Sequence, residues 1–197
     1  MKKVIGIVGS YRKGRVIDSA VSEVLRGVES RGAQVSKIYL IDKNIEFCDN
    51  CRSCMQTEGD ARGNCVHDDD MDEILNDIES ADAVVIGAPM NLGSVTAVTK
   101  RFIERLGVYA YWPWGKPAPK FRKTNGKKAV IITSSAMPSL MGKIIAGSCM
   151  RTLKYSAKVL GAKITATLWF GMVARHPADG LNEKKLKKAF AAGQKLV

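Results

Sequence analysis

The chain has 197 residues, 46% of them apolar and 25% charged, and 31 Lys and Arg against 19 Asp and Glu give a net charge of +12. That much apolar material excludes intrinsic disorder and fits one compact domain with a sizeable core. The longest uncharged stretch, Ala83 to Thr99, is broken by Pro89, Asn91 and two glycines, which excludes a spanning helix of about 20 apolar residues.

Met1-Lys2-Lys3 leads into a short apolar run, Val4 to Gly9, without the longer apolar core and cleavage site of a secretory signal. The chain is therefore expected in the cytoplasm, where thiols stay reduced. There the crowding of Cys48, Cys51, Cys54 and Cys65 argues for metal or redox chemistry more than for disulfides.

Val4-Ile5-Gly6-Ile7-Val8 has the continuous β-branched character of a strand buried on both faces. Ile17 to Ser30 carries apolar residues at helical spacing, with Gly32 as a stop signal. Val35 to Ile41 reads as a second strand. The next stretch, about 42–69, lacks periodicity and holds four cysteines, so it is expected to be an ordered insertion. Asp70 and Glu73 have the spacing of a capping box opening a helix with Met71, Ile74, Leu75 and Ile78 inward.

Ala83 to Ala88 is a third strand ended by Pro89, and Ser94 is expected to cap a helix running to about Leu106. An aromatic and basic insertion, about 108–128, follows with Trp112 and Trp114. Ala129 to Thr133 is a fourth strand, Cys149 to Leu160 a helix, Ile164 to Phe170 a fifth strand, and Asn182 to the end a last helix. Five apolar strands alternating with helices predict an α/β fold, a doubly wound five-stranded parallel sheet of flavodoxin-like order 2-1-3-4-5. The Cys-rich insertion falls after strand 2.

Ligands of such sheets bind at the carboxyl ends of the strands. The first turn, Gly9-Ser10-Tyr11-Arg12-Lys13-Gly14-Arg15, enters a helix N-terminus and offers amides and cations to a phosphate. The alternative is a solvated basic turn. It matches neither the dinucleotide fingerprint nor the Walker loop. The turn after strand 3, Pro89-Met90-Asn91-Leu92-Gly93-Ser94, is uncharged and can lie flat against an aromatic ring. Strand 4 ends in Thr133-Ser134-Ser135, again with hydroxyls and amides. One phosphate cradle beside two neutral turns suits a planar heterocycle with one phosphate tail, which describes FMN better than ATP.

Cys48-x2-Cys51-x2-Cys54-x10-Cys65 has two consecutive short gaps, which let a tight loop wrap three thiolates round one side of an iron–sulfur cubane. Zinc, a redox disulfide and free thiols remain open on spacing alone. Cys149 reads as small buried filler, His67 as a polar loop residue, and neither His67 nor His176 pairs with a nucleophile. The lysines from Lys184 to Lys188 read as the solvated face of the last helix. The tryptophans and positive charge admit a flavin cover, a subunit contact or nucleic-acid binding. No nucleic-acid fold signature accompanies them, so nucleic acid is not an expected partner.

These motifs resemble those of the NADPH-dependent FMN reductase and iron–sulfur flavoprotein family, of flavodoxin-like fold. The resemblance covers nearly the whole chain. It runs from Gly9-Ser10-x-Arg12-Lys13 through the cysteines and Asp69-Asp70-Met71 to Pro89-x-x-x-Gly93-Ser94-Val95 and Lys100-x-Phe102-Ile103-x-Arg105. It implies that Ser10 and Arg12 hold the FMN phosphate. The Pro89 to Ser94 turn would lie against the ring, and Ser134 and Ser135 would cover its other side. Cys48, Cys51, Cys54 and Cys65 would hold a four-iron four-sulfur cluster.

Val16 and Ile17 stand where the family has Asn and Ser or Thr, which shifts the phosphate toward backbone amides and Arg15. The interval between Cys54 and Cys65 exceeds the family's few residues. The implied activity is electron transfer from NADPH or NADH through FMN to an unidentified acceptor, with no catalytic side chain required. The alternative is an electron carrier fed by ferredoxin. A homodimer or homotetramer is expected.

Overall fold

The computed structural model describes residues 1–122, 126–145, 147–173 and 180–197, with residues 143–145 as backbone only. Its centre is a five-stranded parallel sheet of β1 (Lys3–Val8), β2 (Gln34–Tyr39), β3 (Ala83–Pro89), β6 (Lys128–Ser134) and β7 (Lys163–Phe170). The order is β2-β1-β3-β6-β7. This is the 2-1-3-4-5 order expected from the sequence. Two short strands, β4 (Ala110–Tyr111) and β5 (Lys120–Phe121), pair antiparallel inside the aromatic and basic segment and had no readable signal.

Alternation along the strands separates two cores. Ile5, Ile7, Val84, Ile86 and Ile131 face α2 (Met71–Ser80), α3 (Ala97–Arg105) and α5 (Gly147–Val159). Val4, Val8, Val85, Val130 and Ile132 face α1 (Val16–Glu29) and α6 (Glu183–Gln194). Gly6 and Gly87 lie on the α1 side, where a Cβ would stand 2.8 and 2.7 Å from the Val21 methyls. Their lack of a side chain lets α1 press against the sheet. That seating fixes where the helix N-terminus emerges.

The helix starts differ from expectation at two places. Ser94 does not cap α3. Thr96 does, its hydroxyl accepting from the Thr99 amide (3.3 Å) while donating to the Gly9 carbonyl (2.6 Å). Nor do Asp70 and Glu73 form a capping box. Asp70 accepts from the Asn44 amide (2.8 Å), and Asp69 takes the Met71 amide (2.9 Å). A further helix, α4 (Ser139–Ile145), precedes α5 without having been anticipated. Strand β2 ends at Tyr39, since residues 40–42 turn as a 3-10 helix.

Candidate functional site

Three turns meet at the carboxyl edge of the sheet. In the first, the buried Ser10 hydroxyl accepts from the Arg12 amide (3.1 Å). Gly14 takes a left-handed φ of 70° and gives its amide to Asp18 Oδ2 (2.6 Å). Asp18 is in turn held by Lys37 Nζ at 2.7 Å and Tyr39 Oη at 3.1 Å. Burial opposes its charge, but Lys37, the Gly14 amide and Tyr39 outweigh it and hold the carboxyl below its ordinary value. Asp18 therefore anchors the loop from behind. Arg15, at the N-cap of α1, supplies no capping side chain, so the first amides of the helix keep their capacity for an anion.

The second turn is a tight hairpin in which Asn91 and Ser94 exchange backbone hydrogen bonds at 2.8 and 3.0 Å. Leu92 (φ 45°) and Gly93 (φ 80°) form its centre, as in a type I′ turn, with Leu92 fully exposed. The Met90 amide reaches the Ser134 carbonyl (2.9 Å), joining the second turn to the third. Ser135 is committed to structure. Its hydroxyl accepts from Trp169 Nε1 (2.9 Å) and donates to the Met137 carbonyl (3.0 Å).

These turns enclose a groove of ≈ 280 Å³. Ten of the expected residues line it: Ser10, Arg12, Arg15, Val16, Ile17, Pro89, Met90, Asn91, Ser134 and Ser135. Leu92, Gly93 and Ser94 lie outside that lining and shape the hairpin instead. Tyr11, Ala136 and Val173 line it as well. Tyr11, within the first turn, and Ala136, directly after Ser135 at the end of the fourth strand, were findable from sequence, and Val173 was not. Lys13 is turned away, paired with Asp42 at 2.5 Å. Among the described lining residues Arg12 and Arg15 alone carry charge, so the groove favours an anion beside neutral, amide-rich walls.

The four cysteines form the second centre. Cys48, Cys51, Cys54 and Cys65 line one small cavity of ≈ 30 Å³, and all are free thiols. Burial and then the neighbouring sulfurs of Cys65, Cys48 and Cys51 push the Cys54 thiol up, while hydrogen bonds from Ser53 pull Cys51 down. Among the described residues no three His, Cys, Asp or Glu groups form a site for a metal ion.

Three arginines explain how the long interval before Cys65 closes. Arg122, from the aromatic and basic segment, donates to the carbonyls of Val108, Cys54, Thr57 and Gly59 at 2.9 to 3.2 Å. Arg52 stands between the rings of Trp112 and Trp114, 3.8 and 4.2 Å from their centres. Arg105 Nη1 donates to the Glu46 carbonyl at 3.0 Å, and the same guanidinium grips Asp69 at 2.5 and 3.2 Å. Burial works against the Arg105 charge, but Asp69 and the Cys65 sulfur more than offset it. The Asp69 carboxyl is held below its ordinary value, with Arg105 overcoming the effect of its own burial.

The chain then doubles back at Gly63, whose amide donates to the Val108 carbonyl (2.8 Å) and whose Cα lies against the Cys54 carbonyl. No side chain fits there. Cys149 is buried in the first turn of α5, its sulfur 3.3 Å from Thr133 Oγ1. His67 Nε2 lies 3.1 Å from Asp49. His176 falls outside the described residues. Lys185 departs from the expected solvated face, since its ammonium donates to the Gly171 carbonyl (3.0 Å).

A five-stranded parallel sheet in this order, with its groove where β1 and β3 diverge, defines a flavodoxin-like α/β protein. The chain belongs to the NADPH-dependent FMN reductase family, whose sequence model matches residues 2–167. An iron-sulfur flavoprotein of Archaeoglobus fulgidus is 30% identical over 195 residues, 99% of this chain and 79% of that protein. One from Methanocaldococcus jannaschii is 35% identical over 103 residues, 52% of this chain and 51% of the relative. In three dimensions the chain is similar to an NAD(P)H:quinone oxidoreductase from Methanothermobacter marburgensis. That match has a TM-score of 0.75 at 20% identity and covers 100% of this chain and 99% of the other. A flavodoxin from the domain Archaea gives 0.57 at 11% identity, covering 98% and 95%. At these identities the structural matches speak for the fold alone.

Proposed function

We propose that the groove binds FMN and that the protein passes electrons from NADPH or NADH to an acceptor through a four-iron four-sulfur cluster held by Cys48, Cys51, Cys54 and Cys65. Bound FMN supplies hydride acceptance and release of one or two electrons, and the protein supplies position and electrostatics. The amides opening α1, with Ser10, Arg12 and Arg15, hold the phosphate. Pro89, Met90 and Asn91 lie against the ring. Ser134 and Ser135 bound its opposite side, with Trp169 fixing the Ser135 hydroxyl. No side chain is assigned proton transfer.

One observation carries this reading. The uncapped α1 N-terminus and the groove's only described cations sit beside two uncharged turns in a single groove. For the cysteines, the lining of one cavity by all four supports a shared centre, and the two consecutive two-residue gaps from Cys48 to Cys54 favour a cluster over mononuclear zinc. We place the protein in the cytoplasm as a homodimer or homotetramer. Among the described residues no helix is long and apolar enough to cross a membrane.

The net charge of +12 favours a second reading, an electron carrier reduced by an acidic ferredoxin. Mixing anaerobically purified protein with NADPH or NADH separates the two. Bleaching of the flavin absorbance by either nicotinamide supports the reductase. Bleaching by reduced ferredoxin alone supports the carrier.

A further inference from the structure

The thiol cavity gathers polar atoms that the fold leaves unpaired. Among the described residues, four buried side-chain polar atoms lack both a hydrogen-bond partner and an ion-pair partner: Ser36 Oγ, Arg52 Nε, Arg101 Nε and Arg105 Nε. Two of those residues, Arg52 and Arg105, line the cavity with the four cysteines. Buried polar groups in native proteins are paired almost without exception, so such a concentration calls for an acceptor. Guanidinium nitrogens only donate, which makes the missing group an acceptor of positive hydrogens.

Arg105 is the decisive case. It is 3% exposed, yet it keeps a formal charge. Asp69 grips its Nη atoms in a fork, and the Glu46 carbonyl takes a further hydrogen. These bonds fix the plane of the group and leave the Nε–H without a hydrogen bond of normal geometry, with the Cys65 sulfur as the neighbouring acceptor. A lone ion pair with Asp69 would not require the arginine to line a sulfur cavity.

We propose that Arg105 donates its Nε–H to a sulfur of the centre held by the four cysteines, either Cys65 Sγ or a sulfide beside it, and thereby raises that centre's reduction potential. The inference rests on the four-cysteine cluster of the proposed function and adds the residue that sets its potential. One electron, taken from a chemical reductant in a titration, adds one negative charge to the thiolate-bound centre. A buried cation with a hydrogen aimed at sulfur stabilises that extra charge and so favours the reduced form. Arg105 is a positioning residue in this scheme, since it acts through the sulfur. The Asp69 fork sets its orientation, and lysine cannot reproduce that geometry.

The test is a redox titration followed by electron paramagnetic resonance, on whole protein purified anaerobically, as the parent, Arg105→Lys and Arg105→Gln. Removing the charge in Arg105→Gln is expected to shift the equilibrium about tenfold toward the oxidised form, about 59 mV downward for a one-electron couple. Arg105→Lys keeps the charge and is expected to retain part of the parent potential. A purely structural role would lower iron content in both variants and leave the potential of the remaining clusters unchanged. That result overturns the proposal while the cluster reading stands.

If Arg105→Gln fails to fold, the parent protein labelled with ¹⁵N-arginine decides. A nitrogen hyperfine coupling from arginine to the reduced cluster upholds the proposal, and its absence overturns it. Parent protein without iron or sulfide overturns the cluster reading and this inference together, and metal analysis tells that outcome from the others.

Discussion

The guanidinium of Arg52 lies 3.8 Å from the centre of the Trp112 ring, and this contact joins the two irregular segments of the chain. Arg52 sits between Cys51 and Cys54 in a left-handed conformation (φ 60°) and donates to the Trp112 carbonyl at 2.5 Å. Gln56 and Trp114 close the same contact, the Trp114 amide donating to Gln56 Oε1 (3.2 Å). The aromatic and basic segment thus braces the cysteine loop, a duty its composition did not disclose.

Replacing Trp112 with Ala removes one face of the arginine sandwich, at about 1 kcal/mol for a partly desolvated cation–π contact. Cys48 and Cys51 are then expected to react faster with iodoacetamide in metal-free protein, and iron per chain to fall. FMN per chain is expected to stay unchanged, because the groove shares no described lining residue with the thiol cavity. Metal and flavin analysis of one preparation checks both.

Arg122 serves four carbonyls at once. Arg122→Met removes the donor shared by the partly buried Cys54, Thr57 and Gly59 carbonyls, while Val108 keeps the Gly63 amide, and is expected to destabilise the chain by about 1–3 kcal/mol, read from urea unfolding. Lysine has no planar fork and rescues less than half of that loss.

Gly63 gives a sharper local test. A methyl group there collides with the Cys54 carbonyl. Gly63→Ala is expected to push the irregular segment carrying Cys65 away from Cys54, lowering iron content more than overall stability, which falls by about 1–3 kcal/mol as for other overpacked sites.

Asp18 and Asp69 both titrate below the ordinary carboxylate value of 3.8 in the folded chain. Folding therefore favours their charged forms. Their stabilising contribution is complete above about pH 4 and is lost as pH falls through their folded values. Asp18→Asn is expected to lower stability at pH 7, with the difference from the parent shrinking at pH 3. Urea titrations at the two pH values measure it.

Much of this was legible in the sequence. The strands announced themselves because a sheet covered on both faces leaves unbroken β-branched runs such as Val4–Val8 and Ala83–Ala88. The groove followed, since its turns sit at strand ends. The cap of α3 was misplaced because Ser94 and Thr96 offer the same hydroxyl chemistry two residues apart. The hairpin at Leu92–Gly93 claims Ser94 for its own backbone pairing. The arginine braces were hidden for a different reason. Arg52 meets Trp112, and Arg122 meets Cys54, across 60 and 68 residues of chain, and no local pattern encodes such a meeting.

Comparing FMN with riboflavin by fluorescence quenching, on flavin-free protein, tests the central claim most directly. Both share the ring, and FMN alone carries the phosphate assigned to the α1 N-terminus. The account predicts one FMN per chain, bound at least about tenfold more tightly than riboflavin, as expected for charge-assisted hydrogen bonds. Equal affinity for the two, or no quenching by FMN, would contradict it.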